Sequence, residues 1–197
     1  MTDELSGQVA PGDFTKPPTA GDRGGRHTRR RVALVDLDGT VADVAHRLHF
    51  ISGRRRDWEG FFAAAPQDQL LAQGAAEVTR LRADGATVTF LSGRPERCRA
   101  DTITWLARHG LLDPGGPTAV LLRPNNDRRP AKVTKLEHIR RLRAEGTDIV
   151  LLIDDDEAVL AAAQAAGIPV LAATWSRPQD QAANSALTTA QDTDGRS

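Results

Sequence analysis

The sequence has few of the features that mark a secreted, disulfide-stabilised or membrane-bound protein. Its single cysteine, Cys98, cannot form an intramolecular disulfide, so we expect a reducing, cytoplasmic environment and a packing or surface role for this thiol. No apolar run is long enough to span a bilayer, and residues 1–20 lack the basic start and apolar core of a secretion signal. We therefore expect neither secretion nor a membrane partner.

Excess charge and aromatic residues are scarce as well. Lysine plus arginine and aspartate plus glutamate both total 26 among 197 residues, so net charge gives no general attraction to nucleic acid or membrane. Aromatic residues make up only 4% of the chain, which leaves few platforms for stacking bases. The 40% of hydrophobic residues is enough to bury one core, so a single domain is expected.

The two ends of the chain differ in composition from its middle. Residues 1–29 mix Gly, Pro, Asp, Thr and Arg without an apolar period, and residues 177–197 are rich in Gln, Asp, Ala, Thr and Ser. Such segments bury too little apolar surface to offset the entropy of ordering them. We predict a flexible arm and a flexible tail around a domain of residues 30–176. The basic stretch that closes the arm is either a solvated charge run or a contact for a polyanion.

Short apolar runs alternate with helical segments through this domain. The predicted strands are Val32–Val35, Thr87–Leu91, Ala119–Leu122, Ile149–Ile153 and Pro169–Ala172. The predicted helices are Gln67–Ala83, Glu96–His109, Lys132–Ala144 and Glu157–Ala166. This alternation predicts an α/β, Rossmann-like fold with a parallel sheet and helices on both faces. Residues 37–66 contain no convincing strand, and about residues 41–66 are predicted to form a small helical cap.

The first predicted strand delivers two carboxylates. Asp36 and Asp38 follow Val35 two residues apart, which tends to point both toward one face, where they can meet a single phosphate. Gly39 allows a sharp turn, and Thr40 can fix that turn through its hydroxyl. Thr40 is also predicted to contact the substrate. The apolar lead and the Gly-Thr exit make this pattern stronger than an isolated Asp-x-Asp. The alternative is that the carboxylates only cap the turn.

The second predicted strand runs into Ser92, Gly93 and Arg94, with Pro95 at the start of a helix. A hydroxyl and backbone N–H groups at a helix start suit an anion. The alternative is that Ser92 only caps the helix.

Three adjacent carboxylates follow the fourth predicted strand. Asp154, Asp155 and Asp156 repel one another, so a nearby cation is the economical explanation. Mg²⁺ prefers oxygen ligands, and we predict a site formed by Asp154, Asp36 and the Asp38 carbonyl, with Asp155 binding directly or through water. Asp156 is predicted to be an N-cap.

These motifs resemble those of the haloacid dehalogenase (HAD) superfamily of phosphatases, whose first motif is an apolar strand that ends in DxDGT. The resemblance implies a phosphoaspartyl enzyme in which Asp36 attacks phosphorus, while Asp38 protonates the leaving oxygen and then activates water. It also implies that Ser92 and the Gly93 amide hold phosphate oxygens. The third motif of the family supplies a lysine that neutralises the nucleophile and the transferring group.

A narrower resemblance links the chain to the 3′-phosphatase domain of phage-type polynucleotide kinase-phosphatases, over roughly residues 31–175. It is carried by the segments Ala45–Ile51, Asp57–Phe62, Leu122–Arg129 and Val133–Lys135. It implies that Arg47 and Arg94 grip the nucleotide and that Lys135, with Lys132 as competitor, is the third-motif lysine. Where the family has an acidic residue four positions before this lysine, the chain has Ala131, so either Asp127 substitutes or the lysine is oriented differently.

The leading expectation is Mg²⁺-dependent removal of a 3′-terminal phosphate from a polynucleotide or nucleotide. The alternatives are a small-molecule phosphatase that acts on mononucleotides and a catalytically silent phosphate-binding module, against which the intact Asp36 and Asp38 argue. No phosphate-binding P-loop motif occurs, so we expect no P-loop kinase within this sequence. A separate kinase or ligase partner is allowed by the sequence but not identified by it.

Arginines of the cap and the strand ends are candidates for contacts with phosphates that flank the terminal nucleotide. They are Arg47, Arg54, Arg55, Arg56, Arg94, Arg123, Arg128 and Arg129. Trp58 and Phe62 are candidate stacking platforms, unless the cap buries them against the core.

Overall fold

The computed structural model of the protein describes residues 30–52, 55–112 and 119–175, together with Leu187, Thr189 and Ala190. The predicted N-terminal arm, Arg54 and the rest of the predicted C-terminal tail lie outside these residues. Among the described residues, no helix combines the length and the apolar character needed to cross a membrane.

Five parallel strands form the central sheet. They are β1 (Arg31–Val35), β4 (Thr87–Pro95), β5 (Ala119–Arg123), β6 (Asp148–Asp154) and β7 (Val170–Ala172), in the spatial order β5-β4-β1-β6-β7. All five predicted strands are therefore confirmed. β4 continues four residues past its predicted end, and its pairing with β5 shifts register between Leu91 and Pro95.

Helices cover both faces of this sheet, which confirms the predicted fold class. The α-helices are α1 (Trp58–Ala63), α2 (Ala72–Ala83), α3 (Arg99–Arg108), α4 (Ala131–Ala144) and α5 (Glu157–Ala165). Side chains alternate along β1 as expected for a strand buried on both sides. Ala33 and Val35 pack in the cluster that includes α2 and α3, whereas Val32 and Leu34 pack with α4 and α5.

The cap contains a short strand, so the prediction that residues 37–66 hold none is wrong. β2 (Ala42–Asp43) pairs antiparallel with β3 (Gln69–Leu70). Between them lie a 3₁₀-helix at Ala45–Phe50, α1 and a second 3₁₀-helix at Ala65–Gln67. The helix predicted to start at Gln67 therefore begins at Ala72. A two-residue ladder is too short to show the alternation by which strands are recognised in sequence.

The cap aromatic residues are buried. Asp57 is the N-cap of α1, and its Oδ1 accepts a hydrogen bond from the backbone N–H of Gly60 at 2.8 Å. Trp58 and Phe62 stack with ring centroids 6.0 Å apart, and each is less than 5% exposed. The alternative that the cap buries them is confirmed, and neither ring offers a face to an incoming base.

Two residues of the predicted tail pack against the cap. Leu187 and Ala190 belong to a buried group that we call the cap cluster. Its other buried members are Val44, Leu48, Ile51, Trp58, Phe61, Phe62 and Cys98. Arg56 Nη1 also donates to the carbonyl oxygen of Ala190 at 3.3 Å. Part of the segment 177–197 is thus held by apolar burial, and Cys98 has a packing role.

Two glycines shape the loop that follows β1. Gly39 has a φ of 79°, in the left-handed region that favours glycine, and its N–H donates to the Ala42 carbonyl at 2.9 Å. Gly74 lies in α2, where an added Cβ would stand 2.1 Å from the carbonyl oxygen of Thr40. The absence of a side chain at Gly74 therefore lets α2 pack directly on the loop that carries Asp38.

Candidate active site

Asp36 directly follows β1, Asp154 ends the neighbouring β6, and both carboxylates contact Lys135. The Asp36 N–H donates to the carbonyl of Ile153 at 2.9 Å, which continues the pairing of β1 with β6. Lys135 Nζ, from α4, donates to Asp36 Oδ1 and to Asp154 Oδ2, both at 2.8 Å. A carboxylate oxygen of Asp155 lies within 4.8 Å of oxygens of the two other aspartates. Residues far apart in sequence thus form one cluster, in which Asp36, Asp154 and Lys135 are buried and Asp155 is half-buried.

This cluster holds three carboxylates and one ammonium group. Burial raises the pKa of Asp36 to about 8, although Lys135 opposes the rise and Asp154 adds to it. Burial and the charges of Asp36 and Asp154 also raise the pKa of Asp155 well above its ordinary value. For Lys135, burial acts to lower the pKa, but Asp154 and Asp36 outweigh it and raise the pKa. When all three carboxyl groups are ionised, they outnumber the one ammonium group and form a net negative set of oxygen ligands, which fits a divalent cation such as Mg²⁺.

Asp38 lies against two buried arginines. Arg47 Nη2 donates to Asp38 Oδ1 at 2.6 Å, and Arg94 donates to Asp38 through Nε at 3.0 Å and through Nη2. Burial alone would raise the pKa of Asp38, but the charges of Arg47 and Arg94 hold that pKa well below its usual range. Asp38 is therefore ionised in the free protein.

The same arginines contact Asp68, a residue that the sequence analysis missed. Arg47 Nε donates to Asp68 Oδ1 at 2.7 Å, and the Nη2 groups of Arg47 and Arg94 each donate to Asp68 Oδ2 at 2.8 Å. Asp68 stood inside the helix predicted from Gln67, and no local pattern marks it. The one available hint was electrostatic, because two arginines in a buried site need compensating carboxylates.

A cavity opens beside these groups. Its lining residues are Asp36, Asp38, Ser92, Gly93, Arg94, Ala131, Lys135, Asp155, Asp156 and Leu187. Asp154 is fully buried beneath this surface. The cavity thus brings together the predicted nucleophile, acid-base residue, lysine and phosphate-binding loop.

Two predicted substrate-binding residues, Thr40 and Arg47, lie behind this wall. Both are completely buried. The Thr40 Oγ atom has no hydrogen-bond partner among the residues that the structure describes, and the turn is held instead by backbone bonds, including Thr40 N–H to the Leu37 carbonyl at 3.2 Å. The prediction that the Thr40 hydroxyl fixes the turn is therefore wrong, while its contact with substrate stays a prediction.

Ser92 belongs to β4 and does not cap a helix. The next helical turn, a 3₁₀-helix, begins at Glu96 after Pro95, so the capping alternative is wrong. Ser92 Oγ accepts a hydrogen bond from the Arg94 N–H at 3.2 Å. This bond orders the irregular end of β4 where it faces the cavity.

Asp156 caps α5, as predicted. Its Oδ1 atom accepts hydrogen bonds from the N–H groups of Ala158 at 2.7 Å and Val159 at 3.2 Å. Asp156 also lines the cavity, but its carboxylate is engaged in capping α5. We therefore assign it a structural role.

The surroundings of Ala131 explain how the lysine is oriented. Ala131 is the first residue of α4 and lines the cavity one helical turn before Lys135. The Asp127 carboxylate binds Arg129, with Nη2 at 2.6 Å, while Lys135 is held by Asp36 and Asp154. The alternative in which Asp127 substitutes is therefore wrong: among the described residues, Lys135 is held by Asp36 and Asp154, and Asp127 is paired with Arg129.

Comparison with known families decides the class of this domain. A family model for the polynucleotide kinase PNKP phosphatase domain, of the HAD type, matches residues 30–175. The chain belongs to this family. It is accordingly a HAD-type phosphatase domain, as the resemblance of its motifs implied. No significant match was found among curated protein sequences.

Solved structures share the fold of this HAD phosphatase domain. Two chains from the Pnkp1/Rnl/Hen1 RNA repair complex match with 23% and 22% identity and TM-scores of 0.59 and 0.58. They cover 81% and 84% of this chain but only 49% and 57% of their own length, so the chain spans about half of these relatives. A class C acid phosphatase from Bacillus anthracis, with tungstate bound, has 17% identity and a TM-score of 0.53, with 75% of this chain and 68% of that one covered.

The arginines of this HAD phosphatase domain divide into buried and exposed sets. Arg47, Arg94 and Arg123 are buried. Arg129 is exposed but donates to Asp127 and to Glu137 Oε2, the latter at 2.7 Å. Arg97 is exposed and lies close to the cap, with its Cζ 5.6 Å from the ring centroid of Phe62. The sequence analysis did not select this residue. Fewer of the candidate arginines are therefore available to contact flanking phosphates than the sequence analysis expected.

Proposed function

We propose that the domain is a Mg²⁺-dependent phosphomonoester hydrolase that forms a phosphoaspartyl intermediate at Asp36. The observation that carries this proposal is the convergence of Asp36, Asp154 and Asp155 at Lys135. The groups that would hold the ion are these three carboxylates and the Asp38 carbonyl. Bound Mg²⁺ supplies charge neutralisation for the nucleophile and the transferring phosphoryl group.

Asp36 is the proposed nucleophile. One of its carboxylate oxygens bonds to phosphorus as the bond from phosphorus to the leaving oxygen breaks, which gives an aspartyl phosphate that water then hydrolyses. Lys135, 2.8 Å from Asp36 Oδ1, orients this carboxylate and reduces its repulsion from a phosphate dianion. Ser92 and the Gly93 amide, which line the cavity, are proposed to bind phosphate oxygens.

Asp38 is the proposed general acid and base. Phosphate oxygens compete for the donors of Arg94, which lines the cavity and in the free protein binds Asp38. When those donors turn to the substrate, the pKa of Asp38 returns toward its ordinary range, so Asp38 can protonate the leaving oxygen and later deprotonate water. Arg47 and Thr40 lie behind Asp38, so a contact between either side chain and substrate requires a local shift.

The proposed substrate is a 3′-terminal phosphate on a polynucleotide or nucleotide. Two findings support it: the matching family is the phosphatase domain of polynucleotide kinase, and similar chains occur in an RNA repair complex. Arg94, which lines the cavity, also supplies guanidinium N–H donors that suit a phosphoryl group.

Matched oligonucleotides test this substrate assignment. We expect the protein with Mg²⁺ to release phosphate from DNA or RNA that carries a 3′-phosphate and not from the same strand with a 5′-phosphate. Release from the 5′-phosphorylated strand alone would contradict the proposal. The Asp36→Asn variant, purified in parallel, controls for contaminating phosphatases.

A small-molecule phosphatase that acts on mononucleotides is the second candidate. The observation that favours it is Leu187, whose apolar side chain joins the lining of the cavity and leaves less room for a polymer. The ratio of kcat/KM for a nucleoside 3′-monophosphate to that for a 3′-phosphorylated oligonucleotide distinguishes the two. A catalytically silent module would bind both ligands and release phosphate from neither.

We also propose that a separate kinase or ligase acts on the same ends. The similar chains in the Pnkp1/Rnl/Hen1 complex support an assembly of this kind. RNA with a 3′-phosphate should become joinable by an RNA ligase only after treatment with this domain. A cytoplasmic location is part of the proposal, and the single cysteine supports it because no intramolecular disulfide can form.

A further inference from the structure

We propose that Asp68 is a positioning residue for phosphoryl transfer, because it holds the guanidinium groups of Arg47 and Arg94 in the geometry in which both meet Asp38. This inference rests on the function proposed above for Asp38. Asp68 directly follows the second 3₁₀-helix of the cap, whereas Asp38 comes from the loop after β1. The two arginines therefore join the cap to the catalytic loop.

Both oxygens of Asp68 are used for this purpose. Its Oδ1 accepts from Arg47 Nε at 2.7 Å and its Oδ2 from Arg47 Nη2 at 2.8 Å, which is the two-pronged pairing that fixes the plane of a guanidinium group. Oδ2 also accepts from Arg94 Nη2 at 2.8 Å. His46 Nε2 lies 2.9 Å from Oδ1, so the carboxylate is enclosed on its cap side as well.

Asp68 is itself anchored. Its side chain is completely buried, its carbonyl accepts a hydrogen bond from Trp105 Nε1 at 2.8 Å, and its N–H donates to the carbonyl of Ala65 at 3.1 Å. Asp38, by contrast, lines the cavity. Asp68 is thus the fixed counter-ion behind the arginines, and Asp38 is the one that substrate can reach.

Charge balance explains why one carboxylate would not be enough. Two buried guanidinium groups face two carboxylates, and Arg47 is pressed against the ring of Phe61 with its Cζ 4.1 Å from the centroid. Without Asp68, both cations would compete for Asp38 alone and would pull it from the position set by the β1 loop. Misplacement of a reacting group by about 1 Å can cost on the order of a hundredfold in rate.

A double-mutant cycle with p-nitrophenyl phosphate and Mg²⁺ tests the proposal. We expect Asp68→Asn to lower kcat/KM by about 10-fold to 100-fold, mainly through kcat. In an Arg47→Lys background, where one of the two guanidinium groups that Asp68 orients is already lost, the same substitution should lower kcat/KM by a smaller factor than in the wild-type background. Asp84→Asn is the matched control, because Asp84 is also an aspartate paired with an arginine, Arg80. This variant should leave kcat and KM unchanged.

If Asp68→Asn lowers kcat/KM by the same factor in the wild-type and Arg47→Lys backgrounds, the proposal is overturned. A merely structural role of Asp68 would give this result. An Asp68→Asn protein with full activity would also overturn the proposal. If Asp68→Asn does not fold, Asp68→Glu keeps the charge and displaces the carboxylate by one methylene; full activity of that variant would equally overturn it. An inactive wild-type protein would instead refute the proposed function, which keeps the two failures distinct.

Discussion

At the scale of single residues, the cluster of Asp36, Asp154 and Asp155 has a charge that Lys135 does not balance. In the metal-free protein, burial raises the pKa of Asp36 to about 8, so ionising this carboxyl in the folded state costs free energy as pH rises from its ordinary value toward 8. A divalent ion reverses that cost, because it binds the ionised form. Proton binding and metal binding at this cluster therefore compete.

This competition predicts that Mg²⁺ stabilises the protein more at high pH than at low pH. The rise in the thermal midpoint on replacing EDTA with Mg²⁺ should be larger at about pH 9 than at about pH 6, because the raised carboxyl pKa values favour protonation at the lower pH. Asp154→Asn should reduce the rise at both. Equal shifts at the two pH values, or a full shift in that variant, would count against a metal site here.

At the scale of elements, the contact between α2 and the β1 loop decides where Asp38 stands. Gly74 is the point of closest approach, with room for no Cβ before the Thr40 carbonyl. An alanine normally favours a helix by about 1 kcal/mol over glycine. Here we predict the opposite sign, because the added methyl must displace backbone.

Gly74→Ala should lower the free energy of unfolding by about 1–3 kcal/mol, and it should also lower kcat by moving the Asp38 loop. Denaturant unfolding and steady-state kinetics measure the two effects. Gln73→Ala, at an exposed neighbouring position of α2, is the matched control and should change neither. A Gly74→Ala protein more stable than wild type would show that the loop and helix are not in close contact.

The same elements show how far the sequence could lead. Strands such as β1 and β6 were predictable because runs of buried apolar residues end in carboxylates, and parallel strands bring those ends to one edge. The β2–β3 ladder and the late start of α2 were not, since two-residue strands have no period. Asp68 was not either, because its role depends on Arg47 and Arg94, which reach it only through tertiary folding.

At the scale of the whole molecule, the described part of the C-terminal segment joins the cap to the cavity. Leu187 is 3% exposed and belongs to the cap cluster, so Leu187→Ala should lower the free energy of unfolding by about 2–5 kcal/mol. Ile103→Ala, at a 39% exposed site of α3, should cost within about 0.5 kcal/mol. Denaturant unfolding compares them, and equal small effects would mean that residue 187 does not pack against the cap.

The charged residues of the whole domain form two groups, one on each side of the cavity. One carboxylate cluster lies at Lys135, and a second group of carboxylates lies at two arginines, with the cavity between them. In the proposed mechanism, the cluster at Lys135 accepts the phosphoryl group and the cation. The group at Arg47 and Arg94 contains Asp38, the proposed proton donor, and controls its pKa. These two roles support the proposed phosphoaspartyl mechanism, which needs both a nucleophile and a proton donor.

Trapping of the covalent intermediate tests that account most directly. Borohydride added during turnover of a phosphomonoester with Mg²⁺ should reduce an aspartyl phosphate to homoserine, which peptide mass spectrometry would locate at position 36. The Asp36→Asn variant should show neither turnover nor this product. Rapid turnover with no reduced residue at position 36, or with homoserine at another aspartate, would contradict the assignment of Asp36 as the nucleophile.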